Sequence, residues 1–393
     1  MSRRAGILAA TLLLAVSSAA TISAHAQQAF PQPLPEEPIP SVATLPERYP
    51  DSYVYVHDFH FKALLDGRAA IVDVSSPSSS VKGHVSIAQF GTILPTTTGS
   101  EIYTGETFYP RLTRGERTDV ITIWDKATLA PKGEIVLPGG KRGQFVTLRN
   151  AMQFTNGEKW MLVFNFTPGS SVTVVDLEAR KILGDIDMPG CSLMYPTGAR
   201  GFSSLCADGT MMTVLLDEAG KAKSTSAGKA VNDIDNDPWF MTPAMVGRTA
   251  WFVSFKGKLR GFDFSGDKPR DLGGFAMVPG DAEKGYRPGG WQIASSDAAG
   301  RIYVLMDPNG APGSHKNGGT EVWVADTAKK TVARKIAMKN HTLSIEVTAG
   351  AKPYLVAALP SGSLDVYDAN SGDFLHTVVD ATNDPMTMTA SGK

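Results

Sequence analysis

The stretch VYVHDFHF, residues 54–61, brings two histidines and an aspartate together within a few positions. His57 and His60 have the spacing His-x-x-His, which occurs in metal sites, and Asp58 between them raises the possibility of acid/base chemistry. A zinc or copper site needs a third and a fourth ligand. The later histidines, at positions 84, 315, 341 and 376, are scattered along the chain. We therefore expect neither a bound metal nor catalytic residues in this chain.

Other motifs that would carry chemistry are missing from the sequence. No serine lies in a Gly-x-Ser-x-Gly setting, and no Gly-x-Gly-x-x-Gly follows a strand pattern and opens a helix. The 38 basic and 39 acidic residues balance, which argues against a nucleic acid as the partner. The densest basic stretch, RLTRGER at 111–117, contains Glu116 and lies beside Asp119, which indicates a solvated or interface loop.

The elements that position these residues repeat along the chain. A short β-rich run closed by aspartate recurs seven times, in steps of 41 to 63 residues. The aspartates are Asp73, Asp125, Asp176, Asp217, Asp263, Asp326 and Asp368. A period of about 40 to 50 residues made of short strands is typical of β-propeller blades. Each aspartate is expected to accept backbone N–H groups at the turn that leaves the third strand, a structural role.

The predicted fold class is therefore all-β, a seven-bladed β-propeller of four-stranded antiparallel blades over residues 51–393. A second strand precedes most of the repeated runs, as in KWMLVFN from Lys159, and turn dipeptides such as Asn156-Gly157 occur where hairpins need positive φ. The tail PMTMTAS, which follows Asp384, could supply a missing strand to the first blade. The long step before Asp326 must contain loop insertions.

The first 50 residues are different in character. Residues 1–26 have early arginines, an apolar run and Ala24-His25-Ala26, which predicts a secretory signal peptide and a mature protein with no membrane insertion. Residues 27–50 contain seven prolines and predict an extended arm without regular hydrogen bonding. This arm is either a disordered linker or a segment that docks on a partner.

The chain has two cysteines, Cys191 and Cys206. In an exported protein such a pair usually forms a disulfide, here between neighbouring strands. A reactive thiol is the alternative, although no Cys-x-x-Cys motif is present.

Several stretches resemble the heavy subunit of tryptophan tryptophylquinone-dependent amine dehydrogenases, the methylamine and aromatic amine family. They are YPRLTRGERTDVITIWDKATLAPKGEIVLP at 109–138, DFSGD at 263–267, GYRPGGWQ at 285–292, GSHK at 313–316 and the cysteine pair. The resemblance runs through nearly the whole mature chain in order. DFSGD and GSHK favour the aromatic amine type, and the methylamine type stays open.

This resemblance implies a non-catalytic subunit in the periplasm. In the family, the tryptophan tryptophylquinone cofactor belongs to a small, disulfide-rich light subunit, and two heavy and two light subunits form a heterotetramer. The complex converts a primary amine and water to an aldehyde and ammonia, and it passes electrons to a cupredoxin of the amicyanin or azurin kind. The six tryptophans of this chain are then packing residues, and no cofactor is expected in it.

The resemblance also implies one residue near substrate. A phenylalanine just after the first strand of the first blade lines the substrate channel in the family, and Phe61 matches this position best, with Phe59 as the alternative. A phenylalanine that serves only in packing is the other interpretation. An aromatic wall favours the carbon skeleton of an amine and narrows the entrance. Two other functions remain possible: a stand-alone exported propeller that acts as a binding or scaffold module, and a propeller enzyme with a metal at its axis.

Overall fold

A computed structural model describes residues 43–278 and 285–393. The predicted signal peptide and residues 27–42 of the predicted arm lie outside this range. Residues 44–393 form a compact unit. Residues 43–50 form no helix or strand, but the Leu45 N–H donates to Ala127 O at 2.8 Å and the Tyr49 hydroxyl donates to Lys126 O at 2.6 Å. This part of the proline-rich segment therefore packs on the propeller of its own chain.

Strands make up nearly all of the regular secondary structure in the described residues. The first eleven strands are β1 (Tyr53–Asp58), β2 (Gly67–Asp73), β3 (Val81–Ile87), β4 (Thr92–Pro95), β5 (Glu101–Phe108), β6 (Thr118–Asp125), β7 (Pro131–Leu137), β8 (Met152–Thr155), β9 (Trp160–Asn165), β10 (Ser171–Asp176) and β11 (Lys181–Asp187). Further along the chain are β12 (Cys191–Pro196), β13 (Gly201–Cys206), β14 (Met211–Leu216), β15 (Ala222–Ala227), β16 (Ala244–Val246), β17 (Thr249–Val253), β18 (Lys258–Asp263), β19 (Arg270–Ala276), β20 (Arg287–Pro288), β21 (Ala294–Ser296), β22 (Arg301–Asp307), β23 (Gly319–Asp326) and β24 (Thr331–Thr342). The last five are β25 (Ser344–Val347), β26 (Tyr354–Ala358), β27 (Leu364–Asp368), β28 (Phe374–Val378) and β29 (Pro385–Ala390).

In residues 43–278 and 285–393, helical structure is confined to short 3-10 turns at Pro138–Gly140, Arg149–Ala151 and Ser314–Lys316. Within the described ranges, no helix has the length and apolar character that crossing a bilayer requires.

The strands form seven antiparallel sheets, which confirms the predicted seven-bladed propeller. In chain order the sheets are β29-β1-β2-β3 (blade 1), β4 to β7 (blade 2), β8 to β11 (blade 3), β12 to β15 (blade 4), β16 to β19 (blade 5), β20 to β24 (blade 6) and β25 to β28 (blade 7). We number the strands of a blade from the axis outward. The first strands of neighbouring blades touch one another, as β4 touches β8 and β25 touches β29, so they surround the axis.

The hydrophobic core lies between neighbouring blades. Second strands such as β9 are buried along their whole length, whereas outer strands such as β15 are exposed. One cluster joins Val54 and Val56 of blade 1 to Val356 and Val366 of blade 7. Equivalent clusters join the other neighbours, because each sheet has an apolar layer on both faces.

Blade 1 is closed by the tail of the sequence, as predicted. Strand β29 pairs antiparallel with β1, with Val56 opposite Met388 and His57 opposite Thr387. The first strand of blade 1 therefore comes from residues more than three hundred positions after the second. Blade 6 differs from the regular pattern, because its first strand is divided into β20 and β21, which both pair with β22.

The seven repeated aspartates act as turn residues, which confirms that prediction. Each lies at or directly after the end of a third strand, and each accepts at least one backbone N–H from two or three positions further on. Hydrogen bonds from Ser265 and the pairing with Arg270 lower the pKa of Asp263 to about 2. Asn156 and Gly157, both at positive φ, form the predicted hairpin turn in blade 3.

Candidate functional site

The candidate residues gather on one face of the propeller. Because adjacent strands are antiparallel, the loops between second and third strands lie on the same face as the connections between blades. We call this side the loop face. It contains residues 59–66 with Phe61, the RLTRGER loop, and the GYRPGGWQ and GSHK stretches that the sequence singled out. The aspartate turns lie on the opposite face.

Asp58 is a buried anchor at the end of β1. Its side chain is fully buried and accepts hydrogen bonds from the N–H groups of His60 at 3.0 Å, Asn383 at 2.9 Å and Asp384 at 2.8 Å. Burial alone raises the pKa of this carboxyl, but these backbone donors and nearby Arg68 outweigh it and hold the pKa below its usual value. Asp58 therefore stays ionised and ties the first loop to the connection before β29.

The two histidines of VYVHDFHF do not converge on a common point. His57 is 2% exposed, and burial lowers its pKa to about 4 although Asp58 partly opposes this. Its Nδ1 has no hydrogen-bond partner among the described residues. His60 lies in the loop, where its Nδ1 contacts Asp66 O at 3.1 Å. The described chain contains no group of three or more histidine, cysteine or acidic side chains arranged to hold a metal ion.

The two candidate phenylalanines have different surroundings. Phe59 is 3% exposed and packs between Phe61, at 5.0 Å between ring centroids, and Phe90, at 5.6 Å. Phe61 is 46% exposed, and its backbone N–H donates to Asp384 Oδ2 at 2.8 Å. Of these two rings, Phe61 faces solvent and Phe59 supports it from below.

Four further exposed apolar side chains lie on the loop face of blades 1 to 3, the face that carries Phe61. Leu65 lies in the same loop, Phe108 ends β5, Leu112 lies in the RLTRGER loop and Phe166 follows β9. All four are exposed, Leu112 to 76% and Phe166 to 62%. We call these side chains and Phe61 the apolar patch. Contiguous exposed apolar surface is typical of sites of protein or ligand contact.

A buried arginine supports the patch. Arg142 is 4% exposed and donates to Phe90 O at 2.7 Å, Gln89 O at 3.2 Å and Thr107 Oγ1 at 2.7 Å. Burial lowers its pKa to about 10, so it remains charged at neutral pH. It fixes the connection carrying Phe90, on which Phe59 rests. The sequence offered little signal for Arg142, since a Lys-Arg pair in a Gly-rich stretch usually indicates a surface loop.

The basic residues of the RLTRGER loop are partly used inside the protein. The guanidinium of Arg117 forms a bidentate pair with Asp119, at 2.9 Å and 3.0 Å, and Asp119 also accepts from the Arg142 N–H at 3.1 Å. The loop, which was predicted to be a solvated or interface loop, is therefore anchored at its base and exposed at Leu112.

Cys191 and Cys206 form the predicted disulfide. The two residues are opposite one another in the pairing of β12 with β13. The bond joins the two inner strands of blade 4 at their loop-face ends.

The axis contains a cavity of about 620 Å³ that opens away from the loop face. At its floor Glu346, 0% exposed, accepts from Arg149 at 3.0 Å, Gln292 at 2.7 Å and Lys393 at 3.2 Å. Ser295 also donates to this carboxylate, at 3.1 Å. Both carboxylate oxygens are thus occupied by protein donors, which favours a structural role.

Fold and site together define the class of protein, a seven-bladed β-propeller with exposed apolar side chains on its loop face. Solved structures with the same fold include a putative 6-phosphogluconolactonase from Bacteroides fragilis, with a TM-score of 0.59 and 13% identity, covering 90% of this chain and 99% of that one. Dihydro-heme d1 dehydrogenase NirN has a TM-score of 0.52 and 14% identity, covering 90% and 78%. At these identities the likeness concerns the fold alone.

Sequence relatives are more specific. The methylamine dehydrogenase heavy chain of Methylorubrum extorquens is 30% identical over 287 residues, 71% of this chain and 69% of that protein. The one of Methylobacillus flagellatus is 28% identical over 373 residues, 90% and 89%. A family model described as methylamine dehydrogenase heavy chain matches residues 51–391. This chain belongs to the methylamine dehydrogenase heavy chain family, in agreement with the resemblance noted in the sequence.

Proposed function

We propose that this chain is the non-catalytic heavy subunit of a periplasmic quinoprotein amine dehydrogenase. The complex would oxidise a primary amine, with water, to an aldehyde and ammonia, and two electrons per amine would pass to a cupredoxin. A light subunit would carry tryptophan tryptophylquinone, which supplies the redox chemistry. The family match over residues 51–391 is the observation that supports this proposal most strongly.

The apolar patch is the surface that would contact the light subunit. Phe61, Phe108, Leu112 and Phe166 come from three adjacent blades and lie on one face. Aromatic and aliphatic side chains at the centre of an interface contribute most of its binding energy, because they leave water on association. In a complex of two heavy and two light chains, each patch would be covered by one light subunit.

Phe61 would line the route by which amine reaches the quinone. Its ring is exposed, rests on Phe59 and stands at the edge of the apolar patch. The wall would contact the carbon skeleton of the substrate, so its shape would bear on amine preference. The predicted signal peptide, residues 1–26, would direct the chain to the periplasm, where a cupredoxin acceptor is available.

Co-purification tests the subunit role. The chain should be isolated from its native host with a small, cysteine-rich partner, in a complex that has quinone absorbance and amine-dependent dye reduction. Leu112→Asp, which places a charge in the patch, should weaken this association by at least about tenfold. Leu375→Asp is the matched control, because Leu375 is 46% exposed on the outer strand of blade 7. A wild-type chain that purifies alone and without quinone absorbance would contradict the proposal and favour a stand-alone propeller.

The channel role has a separate test. Phe61→Ala should change the ratio of kcat/KM for methylamine and 2-phenylethylamine by about tenfold, while assembly and quinone absorbance stay as in wild type. An unchanged ratio in a fully assembled complex would remove Phe61 from the channel and leave the subunit role intact.

A further inference from the structure

The loop that carries Phe61 is held by residues just before β29. Asp384 accepts the Phe61 N–H through Oδ2 at 2.8 Å and the Phe59 N–H through its main-chain oxygen at 3.0 Å. In return, Asp58 accepts from Asp384 N–H at 2.8 Å, and from Asn383 N–H at 2.9 Å and Nδ2 at 3.1 Å. We call this set, formed by Asp58, Asn383 and Asp384, the ring-closure clamp.

The clamp imposes an unusual backbone conformation between the two phenylalanines. His60 has φ of 48°, in the left-handed region that non-glycine residues seldom adopt. Its N–H donates to the buried carboxylate of Asp58 at 3.0 Å. Contacts on both sides of His60 therefore hold a strained turn in place, and this turn separates a buried Phe59 from an exposed Phe61.

The Asp384 carboxylate has a role distinct from the rest of the clamp. Asp58 binds the backbone of residues 383 and 384, and the Asp384 main chain binds Phe59, so neither contact uses the Asp384 side chain. The side chain instead fixes the N–H of the residue whose ring is exposed. Because an ionised acceptor makes a strong and directional hydrogen bond, it restricts where that ring can stand.

We propose that Asp384 is a positioning residue for amine selectivity, acting through the backbone of Phe61. The inference rests on the proposed channel role of Phe61. Phe61 is 46% exposed and packs on Phe59, so its tethered backbone determines how far the ring extends from the surface. Small displacements of a group that positions substrate change rates strongly. The carboxylate would thereby define the width of the amine entrance without touching the amine.

The test uses the assembled complex with four variants: Asp384→Ala, Asp384→Glu, Phe61→Ala and Asp208→Ala. Asp208 is the matched control, because its carboxylate accepts the Thr210 N–H at 2.9 Å in the corresponding loop of blade 4. Steady-state kinetics with methylamine and 2-phenylethylamine give kcat and KM for each. Hydrogen exchange of the peptide covering residues 59–66 reports the tether directly.

Asp384→Ala should shift the ratio of the two kcat/KM values by at least about threefold in the same direction as Phe61→Ala, mainly through KM. Exchange in residues 59–66 should become about tenfold faster, because one charge-assisted hydrogen bond is lost. Asp384→Glu moves the acceptor by one methylene and should also shift the ratio. Asp208→Ala should match wild type in both measurements.

The possible failures are distinguishable. If Phe61→Ala shifts the ratio but both Asp384 variants leave it at the wild-type value, the positioning role is wrong and the channel role stands. Unchanged exchange in Asp384→Ala would likewise overturn the inference. If Phe61→Ala itself leaves the ratio unchanged, the channel role fails and the positioning role with it. If Asp384→Ala does not assemble, the ratio of the two kcat/KM values in Asp384→Glu is the test. A shifted ratio supports the positioning role, and a wild-type ratio overturns it.

Discussion

The buried histidine of β1 should make the stability of this protein depend on pH. His57 is 2% exposed, burial lowers its pKa to about 4, and Nδ1 lacks a partner in the described chain. In the unfolded chain the pKa of a histidine is about 6.5. As the pH falls below this value, His57 binds a proton in the unfolded state but stays neutral in the folded state. Protonation therefore stabilises the unfolded state, and folding becomes less favourable. This contribution is absent at high pH and reaches its full size only below the folded pKa.

The magnitude follows from the two pKa values. Between pH 8 and pH 5 the unfolded histidine becomes almost fully protonated, while folded His57 remains largely neutral. Linkage then gives a loss of about 2 kcal/mol in the free energy of unfolding over this interval. His57→Leu, of similar size and unable to titrate, should escape this loss. From pH 8 to pH 5, the free energy of unfolding of His57→Leu should therefore increase by about 2 kcal/mol relative to that of wild type.

Urea unfolding of the purified protein, followed by tryptophan fluorescence at pH 8 and pH 5, measures this gain. His57→Gln is the companion variant, because it keeps a polar side chain but does not titrate. Both variants should gain by a similar amount, whatever their constant offset from wild type. If the difference in free energy of unfolding between wild type and each variant is the same at both pH values, His57 is not held neutral and the reasoning fails.

Three further outcomes are expected. Asp58→Ala leaves several backbone N–H groups without their acceptor and should cost about 3 to 5 kcal/mol at pH 7, measured by urea unfolding, whereas a loss under about 1 kcal/mol would contradict the anchor role. Because the pKa of Asp58 is depressed, its contribution to the free energy of unfolding is present above about pH 4 and is lost as the pH falls through the folded pKa. The difference in free energy of unfolding between wild type and Asp58→Asn should therefore become smaller in acid. Replacing Cys191 and Cys206 together by serine opens a loop spanning 15 residues and should cost about 3 kcal/mol, and a reductant should lower the thermal midpoint of wild type but not of the variant.

The blade count was predictable because its signal is local. Each repeated aspartate binds backbone N–H groups only two or three residues away, so the same short pattern must recur wherever a third strand ends. The tail strand was predictable for a related reason, since a closed ring needs a partner for β1. The division of the first strand in blade 6 was not predictable, because Gly290 and Trp291 at the break donate to the main-chain oxygens of His315 and Leu343, which are distant in the sequence.

The candidate site was only partly accessible from the sequence. Position after the first strand pointed to Phe61, but alternation along a strand places residues 59 and 61 on the same side and does not separate them. Their different exposure depends on the positive φ of His60 and on Asp384, which is 326 positions from Asp58 in the chain. Interactions between such distant residues leave no local pattern. Arg142 escaped notice for the same reason, since its acceptors lie up to 53 residues away.

The pairing of β29 with β1 has a consequence for biogenesis. During synthesis, residues 53–58 emerge long before residues 384–390, so blade 1 cannot be completed until almost the whole domain is present. Until then Asp58 and Phe61 lack the groups that hold them. A prematurely terminated or clipped polypeptide would therefore lack an ordered Phe61 loop for a light subunit to meet. Only a polypeptide that reaches β29 can therefore close the ring and assemble. Shorter products would lack a bound light subunit and would be susceptible to proteolysis.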